Sequence, residues 1–425
     1  MTDIEKRYFS VIGNLPTGWT FKRNDSLYEE RKEFCDESES VNNLLSVSEY
    51  YGVAKRSEKV EDGDIVSRAE TLDGYRRCFK NDFVMNYMLA WKGAQATSEL
   101  DGVVSPSYAV FKPRGGILPR YANYLFRTKL YCGLFEVNST GIIKSRLRLY
   151  PKAFLKINAI VPPLLEQQSI IDYLDKKCST IDEAIARHKQ IIEKLEEYRS
   201  IQISSMATKG INPDSPLRVS GTDWYGKIPK NWEIKRFKYV AEVKSNLVDP
   251  RPYMALNQIG PDLIEKNSGR LVGSRTVEEA GVISGNHLFH AGQILYSKVR
   301  PALNKVVIAP FDGLCSADMY PIETSMDAEY LKYLMLSKPF AEQVRIIAMI
   351  RVKMPKINQD ELGDVLCVVP PMDQQKEIAS SITEMCNQIE AVISRHNEII
   401  EKLEEYRKSI IYNAVTGKID CREVV

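Results

Sequence analysis

A chain of 425 residues with 44% hydrophobic and 27% charged residues is long enough for two or three domains. The formal net charge is only +2, and no run of about 18 apolar residues predicts a membrane-spanning helix. The N-terminus MTDIEKRYFSVIGN has no apolar signal-peptide core, and the eight cysteines lie singly, without CxxC pairs. These features predict a cytoplasmic protein with reduced thiols and no membrane partner.

Residues 1–162 form the first predicted domain. Short β-like runs, including GDIVSR (63–68) and SPSYAVFKP (105–113), alternate with turn residues. The stretch RYANYLFRTKL (120–130) has helical periodicity. This mixture predicts an α+β domain.

Residues 163–210 form a predicted long helix. Its apolar residues recur at alternating spacings of three and four, as in a coiled coil. The two prolines at 162–163 precede it, and proline suits the first turn of a helix. The predicted seam residues of this helix are Leu174, Ile181, Ile185, His188, Ile192 and Leu195.

Residues 211–370 form the second predicted domain. It begins with a linker (211–224) that is rich in Gly, Pro, Asp and Ser. The β-like runs GQILYSKVR (292–300) and KVVIAP (305–310) follow, and DAEYLKYLMLSKPFAEQV (327–344) has helical periodicity. The same α+β mixture is therefore predicted.

Residues 371–425 form a second long helix and a tail, and they contain an exact repeat. IIEKLEEYR occurs at 191–199 and at 399–407, an offset of 208. GNLPTGWTFKR resembles GKIPKNWEIKR at an offset of 213, and DGVVS resembles DGLCS at 211, so the chain holds two copies of one unit. The predicted seam residues of this helix are Ile382, Ile389, Ile393, His396, Ile400 and Leu403.

The two predicted helices are expected to bury their apolar stripes against each other. If a pseudo-two-fold axis relates the two copies, the helices run antiparallel and His188 comes close to His396. A functional pair, such as a pH switch or a metal clip, is one interpretation. Two imidazoles packed in a seam and hydrogen-bonded to neighbours is the other.

Basic residues are concentrated outside the two predicted helices. Segments 163–208 and 371–415 carry net charges of −2 and −3, so the remaining chain carries +7. Lysine and arginine bind phosphates, and arginine, lysine and asparagine read base edges in the major groove. A solvated face is the default for any one cluster, but recurrence in both copies favours DNA binding. The candidate DNA-binding residues are Arg76, Arg77, Lys80, Lys92, Lys144, Arg146, Lys298, Arg300, Asn304, Lys305, Arg345, Arg351 and Lys353.

The motifs of several enzyme classes are missing. The sequence has no GxxxxGK[ST], GxSxG or HExxH, and its Pro-Pro pairs lack the flanking residues of an adenine-methyltransferase active site. Asp214 and Glu233 fit a loose nuclease pattern, but Asp214 lies in the linker and Glu233 aligns with Thr20. His287 and His290 have no third ligand near them in sequence. We therefore predict no catalytic residue, metal site or cofactor in this chain.

The repeated motifs occur in a fixed order. LPTGW and IPKNW stand near the starts of the two units, VPPLLEQQ and VPPMDQQ precede the helices, and AVTGKID closes the second helix. The second unit also contains ILYSKVRP, which has no clear counterpart in the first. Together these motifs resemble those of the specificity subunit of type I restriction-modification systems, over nearly the whole chain.

The resemblance implies two pseudo-symmetric α+β target-recognition domains separated by a long antiparallel two-helix coiled coil. It implies that each domain reads half of a bipartite DNA target and that the coiled coil sets their separation. The implied partners are double-stranded DNA, two modification (methyltransferase) subunits and restriction (motor-nuclease) subunits. S-adenosylmethionine, ATP and Mg would belong to those subunits. The alternative is a coiled-coil adaptor, or a stand-alone DNA-binding protein without restriction partners.

Overall fold

The computed structural model describes residues 1–35, 43–58, 72, 74–349 and 355–422. The chain divides into two compact units: the first is Met1–Arg187 with Ile399–Val425, and the second is His188–Glu398. The strand predicted at 63–68 lies outside the described residues. Within the described ranges, no helix is long and apolar enough to cross a membrane.

Short strands and helices alternate in each half of the chain, and each half ends in a long helix. The elements of the first half are α1 (Asp3–Phe9), β1 (Thr20–Arg23), α2 (Asn24–Leu27), β2 (Tyr28–Glu30), β3 (Leu44–Ser48), β4 (Gly52–Lys55), β5 (Arg76–Cys78), β6 (Phe83–Asn86), β7 (Gln95–Thr97), β8 (Gly102–Val104), β9 (Tyr108–Pro113), α3 (Pro119–Phe126), α4 (Lys129–Val137), α5 (Pro151–Lys156), β10 (Asn158–Val161) and α6 (Leu164–Lys209). The elements of the second half are β11 (Leu217–Val219), β12 (Lys227–Pro229), β13 (Glu233–Arg236), β14 (Ala241–Val243), β15 (Leu247–Val248), β16 (Asn257–Ile259), β17 (Arg275–Thr276), β18 (Asn286–Phe289), β19 (Ile294–Ser297), β20 (Val306–Ile308), β21 (Gly313–Cys315), β22 (Met319–Thr324), α7 (Ala328–Leu336), α8 (Lys338–Met349), α9 (Gln359–Gly363), β23 (Leu366–Val369) and α10 (Met372–Val415).

The two units share the topology of three sheets. In the first, β1 pairs with β10, and two further sheets have the orders β2-β9-β6-β7 and β4-β3-β8-β5. In the second, β13 pairs with β23, and the orders are β14-β22-β19-β20 and β15-β18-β21-β16-β17. Strands β3 and β8 are parallel, as are β16 and β21. Strand β15 pairs with β18 at the sheet edge where the first unit has the isolated antiparallel bridge between Phe34 and Arg76. The α+β fold class is confirmed, and the sequence repeat is a repeat of topology.

Each helical stretch predicted inside a domain is two helices. Thr128 separates α3 from α4, and its hydroxyl caps α4 by accepting from the Tyr131 amide at 3.4 Å. Ser337 separates α7 from α8, and Pro339 stands in the first turn of α8, where its missing N–H breaks no helical bond. The predicted linker also contains a strand, because β11 pairs with β12. The apolar periodicity of the sequence continues across Thr128 and Ser337, so it did not indicate that each helical stretch is divided.

The VPPLLEQQ and VPPMDQQ motifs anchor each domain to the long helix that follows it. The Gln167 side-chain oxygen accepts from the Leu118 amide at 2.7 Å, just before α3. The Gln375 oxygen accepts from the Asp327 amide at 2.8 Å, just before α7. Each glutamine also donates to the carbonyl of the first proline of its motif. Both glutamines are buried, so these bonds hold each domain on its helix.

The tryptophans of LPTGW and IPKNW make an equivalent pair of contacts. The Trp19 indole donates to the Glu166 carboxylate at 2.7 Å. The Trp232 indole donates to the Gln374 side-chain oxygen at 2.8 Å. The motifs that carry the family resemblance are thus structural anchors.

Two buried tyrosines close the domains with the ends of the long helices. The Tyr121 hydroxyl lies 3.1 Å from the Ile160 carbonyl oxygen in β10 and 3.3 Å from that of Val415 in α10. In the second unit, Tyr330 donates to the carbonyl of Ala207 in α6 at 2.8 Å. Each domain is therefore completed by the helix end that belongs to the opposite half of the chain.

Within each unit, α6 and α10 pack antiparallel. In the first unit, the beginning of α6 and the end of α10 share one hydrophobic cluster with the domain. In the second unit, the end of α6 and the beginning of α10 do the same. Of the seam residues named from sequence, six are half-buried: His188, Ile192, Leu195, His396, Ile400 and Leu403. The other six are buried: Leu174, Ile181, Ile185, Ile382, Ile389 and Ile393.

The two seam histidines of the second unit contact each other directly. The Nδ1 atoms of His188 and His396 are 2.6 Å apart, so one imidazole donates and the other accepts. Isoleucines 185, 192, 393 and 400 are their neighbours three or four positions away on the same helix stripes. The pair is thus a polar contact inside an apolar seam.

A double-mutant cycle on the histidine pair should reveal strong coupling. Either His188→Leu or His396→Leu alone should lower the free energy of unfolding by about 1 kcal/mol, because the remaining imidazole loses its partner. The double substitution should restore roughly wild-type stability, since two leucines fit the stripe. Urea denaturation of the four proteins measures the coupling. Additive single effects would show that the two rings do not depend on each other.

Candidate nucleic-acid interface

Two surface loops meet in the first unit. Residues 87–94 connect β6 to β7, and residues 138–150 connect α4 to α5; we call them the first loop pair. The Leu149 amide donates to the Tyr87 carbonyl at 2.8 Å, and the Tyr87 and Tyr150 rings stack with centroids 6.0 Å apart. The backbone bond and the stacked rings hold the two loops together.

The first loop pair gathers two candidate lysines around one tryptophan. The Lys92 and Lys144 ammonium groups lie 5.3 and 5.9 Å from the centroid of the Trp91 ring. Lys144 also forms an ion pair with Glu136 at 2.9 Å. Cations beside an aromatic ring suit a nucleic acid, because the cations bind phosphates and the ring can stack on a base.

In the first loop pair, the tip of loop 138–150 exposes apolar and basic side chains together. Thr140 and Arg148 form the bridge at the base of a hairpin. At its tip, Ile142 is fully exposed, Ile143 is 54% exposed and Arg146 is also exposed. Exposed isoleucines beside a guanidinium can contact thymine methyl groups or enter a base step. The hairpin tip is therefore suited to contact base edges.

The second unit contains the same arrangement with different residues. Residues 298–305 connect β19 to β20 and bond to residues 355–358; we call them the second loop pair. The Ile357 amide donates to the Lys298 carbonyl at 3.0 Å, as Leu149 does to Tyr87. The Lys298 ammonium lies 5.0 Å from the Tyr320 ring centroid, and Arg300 is exposed. Lys298 and Arg300 are the candidates best displayed on this surface.

Two candidates of the second loop pair hold the loop together instead of facing outward. Asn304 is 4% exposed, has a left-handed φ of 41° and occupies the position of Gly93, whose φ is 101°. Its amide nitrogen lies 3.4 Å from the Leu336 carbonyl oxygen. The Lys305 ammonium donates to the Pro261 carbonyl at 2.6 Å. We therefore remove Asn304 and Lys305 from the set of candidate DNA contacts.

The three candidates on β5 and in the turn after it differ in exposure. Arg76 forms an ion pair with Glu30 at 3.0 Å, and its side chain is only 18% exposed. Arg77 is half-buried in the same strand, whereas Lys80 is exposed in the turn that follows. Of these three, Lys80 is the one available to a phosphate in this conformation.

The candidates near α8 lie partly outside the described residues. Arg345 forms an ion pair with Glu342 at 2.6 Å, one turn earlier on the helix. Arg351 and Lys353 fall in the range that the structure does not describe. They remain sequence predictions.

A buried histidine lies near the second loop pair. Burial, and to a smaller extent the charge of Lys298, lowers the pKa of His287 below its usual value. Its Nδ1 atom has no hydrogen-bond partner among the described residues. His287 is therefore neutral at physiological pH and adds no positive charge beside Lys298.

The residues that fitted metal and nuclease patterns in the sequence are not brought together in the structure as far as it is described. They contain no group of three or more His, Cys, Asp or Glu side chains placed to hold a metal ion. The Glu233 carboxylate, which fitted the loose nuclease pattern, forms an exposed ion pair with Lys235 at 2.7 Å.

The aromatic and apolar residues of the first loop pair were missed at the sequence level. Lys92 and Lys144 are 52 positions apart, and sequence spacing did not indicate that they share Trp91. The available signal was the tryptophan directly before Lys92 and the isoleucine pair directly before Lys144.

Comparison with known proteins finds restriction-system relatives. The chain is 31% identical over 281 residues to the type I restriction enzyme EcoDI specificity subunit of Escherichia coli. This alignment covers 63% of each protein. It is 24% identical over 357 residues to the type I restriction enzyme MjaVIII specificity subunit of Methanocaldococcus jannaschii, covering 79% of the chain and 80% of that relative. The chain thus spans just under two thirds of the length of the E. coli relative.

A solved structure has the same fold. Its subject is the complex assembly and conformational transition of the type I R-M system, and its matching chain has a TM-score of 0.70 and 14% identity. The match covers 96% of this chain and 100% of the other. No protein-family model matches.

Proposed function

Because the chain belongs to the specificity subunits of type I restriction-modification systems, we propose that it binds double-stranded DNA sequence-specifically through its two loop pairs. The observation that carries this proposal is the recurrence of the loop pair. Both units build it at the same place in the same topology, with cations beside aromatic rings. Lysine and arginine there hold phosphates, and the exposed hairpin tip reads base edges.

The two loop pairs should read unlike sequences. Tyr87 and Leu89 stand in the first loop pair where Lys298 and Arg300 stand in the second. Different side chains at equivalent backbone positions present different hydrogen-bond donors to a base pair. The proposed target is therefore bipartite, with two unlike half-sites around an unread spacer.

The proposed role of the chain is recognition, and the chemistry belongs to its partners. We assign methylation of adenine to two modification subunits that bind S-adenosylmethionine, and cleavage to restriction subunits that use ATP and Mg. In this proposal the chain itself holds no cofactor. Extraction of the target base from the duplex is then a step of the methylating partner.

Methylation sequencing tests the function directly. The chain and the modification subunits encoded with it would be co-expressed in a host that lacks other adenine methylation, and methylated adenines would be mapped. A bipartite motif should appear, and exchange of residues 298–305 for those of another specificity subunit should change one half only. Methylation with no dependence on this chain would favour the adaptor alternative.

The length of the long helices should set the spacer. Removal of Lys189–Leu195 from α6 and Asn397–Leu403 from α10 deletes seven residues at equivalent positions of each helix. Seven residues correspond to about 10 Å of helix, or roughly three base pairs of duplex. The methylated motif should therefore keep both half-sites and lose about three spacer positions. An unchanged spacer would disprove the ruler.

A further inference from the structure

The first unit has a large open groove beside its domain. Its volume is about 1820 Å³, and it lies among α1, α3, α4, α6 and α10. Its lining includes Asn123 of α3, Arg127 directly after α3, Asp182 of α6 and Arg407 of α10. Val11, which is 62% exposed, lies on its apolar wall.

Beside Glu390, the equivalent place in the second unit is filled by the chain itself, while a smaller pocket remains along the adjacent stretch of α10 that includes Thr383, Asn387 and Ala391. A reverse turn, Glu265–Arg270, is closed by the Glu265 amide donating to the Arg270 carbonyl at 3.0 Å. The Arg270 guanidinium forms an ion pair with Glu390 of α10, which also pairs with Arg199 of α6 at 3.6 Å. Glu390 and Arg199 are the 208-residue counterparts of Asp182 and Arg407. The second unit thus places its own Arg270 on Glu390, whereas among the described residues of the first unit Asp182 has an ion pair with Arg407 alone.

Loop length explains the difference between the two units. Three residues, 49–51, connect β3 to β4 in the first unit. Fifteen residues, 260–274, connect the equivalent strands β16 and β17 in the second. A Cβ on Gly269 of this longer loop would lie 3.0 Å from the Leu336 side chain, so the turn packs closely on α7. The three-residue loop 49–51 cannot form such a turn.

Side-chain exposure shows that this ion pair is less accessible in the second unit than in the first. The Arg199 side chain is 8% exposed and Glu390 is 35% exposed. Their counterparts Arg407 and Asp182 are 32% and 60% exposed. The carboxylate of Asp182 therefore retains room for a second cation.

We propose that the groove of the first unit binds a reverse turn of a partner protein. The turn presents an arginine to Asp182, as Arg270 is presented to Glu390, and its flanking apolar side chains contact Val11. The groove is lined by six acidic and six basic side chains, so it lacks the net positive charge that would favour a nucleic acid as the occupant. The proposal concerns a protein partner and does not depend on DNA recognition.

The sequence of the filling turn supplies the probe. A fluorescently labelled peptide with the sequence of residues 264–272, IEKNSGRLV, would be titrated with the full chain and its anisotropy measured. We expect saturable binding with a dissociation constant below about 1 mM. Replacing the peptide's arginine by alanine should raise this constant by at least about 10-fold. Absence of saturable binding up to 1 mM would overturn the proposal.

Variants of the chain locate the binding. Asp182→Asn should weaken peptide binding by at least about 10-fold, and Val11→Glu should do so without touching the Asp182–Arg407 ion pair. The matched control is Glu390→Gln, at the equivalent position that the chain already fills, and it should leave the affinity unchanged. An equal loss in the control, or displacement of the peptide by duplex DNA, would contradict the proposed site. Because no DNA is needed for binding, a negative result here leaves the methylation test unaffected.

Discussion

Replacing Lys92, Lys144 and Arg146 together by alanine should lower the affinity for duplex DNA by roughly 100-fold at physiological salt. Each lost phosphate contact costs about 1 kcal/mol, so three cost about 3 kcal/mol. The dependence of affinity on salt should also become weaker, by a slope of up to about 3 for three phosphates. Fluorescence titration of a labelled duplex between 50 and 200 mM salt measures both quantities.

A charge-matched control separates a local contact from a general effect of charge. Lys176, Lys189 and Lys194 are exposed on α6, outside the first loop pair. Their triple replacement by alanine removes the same charge, and it should change DNA affinity by less than about 3-fold. If both triple variants lost affinity equally, the first loop pair would not be the contact surface.

Replacing Gly417 by alanine should lower the free energy of unfolding of the first unit by about 3 kcal/mol. Gly417 follows the end of α10 with a φ of +76°, which a residue with a Cβ adopts at a cost of about 1 kcal/mol. The added Cβ would also lie 2.4 Å from the Cγ of Pro16 and 3.4 Å from the Trp19 ring. The proline ring is rigid, so the clash moves the tail away from the domain.

Gly210→Ala is the natural comparison, because Gly210 follows the end of α6 in the same way. Its φ is +83°, but the nearest atom to an added Cβ belongs to Trp232, at 3.4 Å. This substitution carries the backbone cost without the proline clash, so it should cost about 1 kcal/mol. Denaturant unfolding followed by tryptophan fluorescence compares the two variants. Equal losses would show that the contact with Pro16 is not tight.

The internal repeat made much of the architecture predictable from sequence. Identity at an offset of 208 predicted two copies of one unit, and the three- and four-residue spacing of apolar residues predicted both long helices. The structure adds the reason for the repeat. Gln167 and Gln375 recur because they bond the domain to the helix, as Trp19 and Trp232 do.

The candidate site was harder to predict because it depends on contacts between distant residues. Lys144 was named for its charge, but its place beside Trp91 follows from the meeting of two loops. Asn304 was named as a base reader, but its left-handed backbone and burial could be inferred only by aligning it with Gly93. Arg76 was also named for its charge, although Glu30 neutralises it within a sheet. Charge alone did not distinguish exposed lysines and arginines, which are available to DNA, from those held by ion pairs and hydrogen bonds within the domain.

The bond from Tyr121 to the end of α10 has a consequence for synthesis of the chain. The second unit is one continuous stretch, His188–Glu398, whereas the first needs Ile399–Val425 as well as Met1–Arg187. During translation the second unit has all of its residues before the first does, although the first unit begins earlier. The Tyr121 hydroxyl and the Val415 carbonyl are 294 positions apart, so this contact waits for almost the whole chain. The domain that the ribosome makes first is therefore the last to be completed.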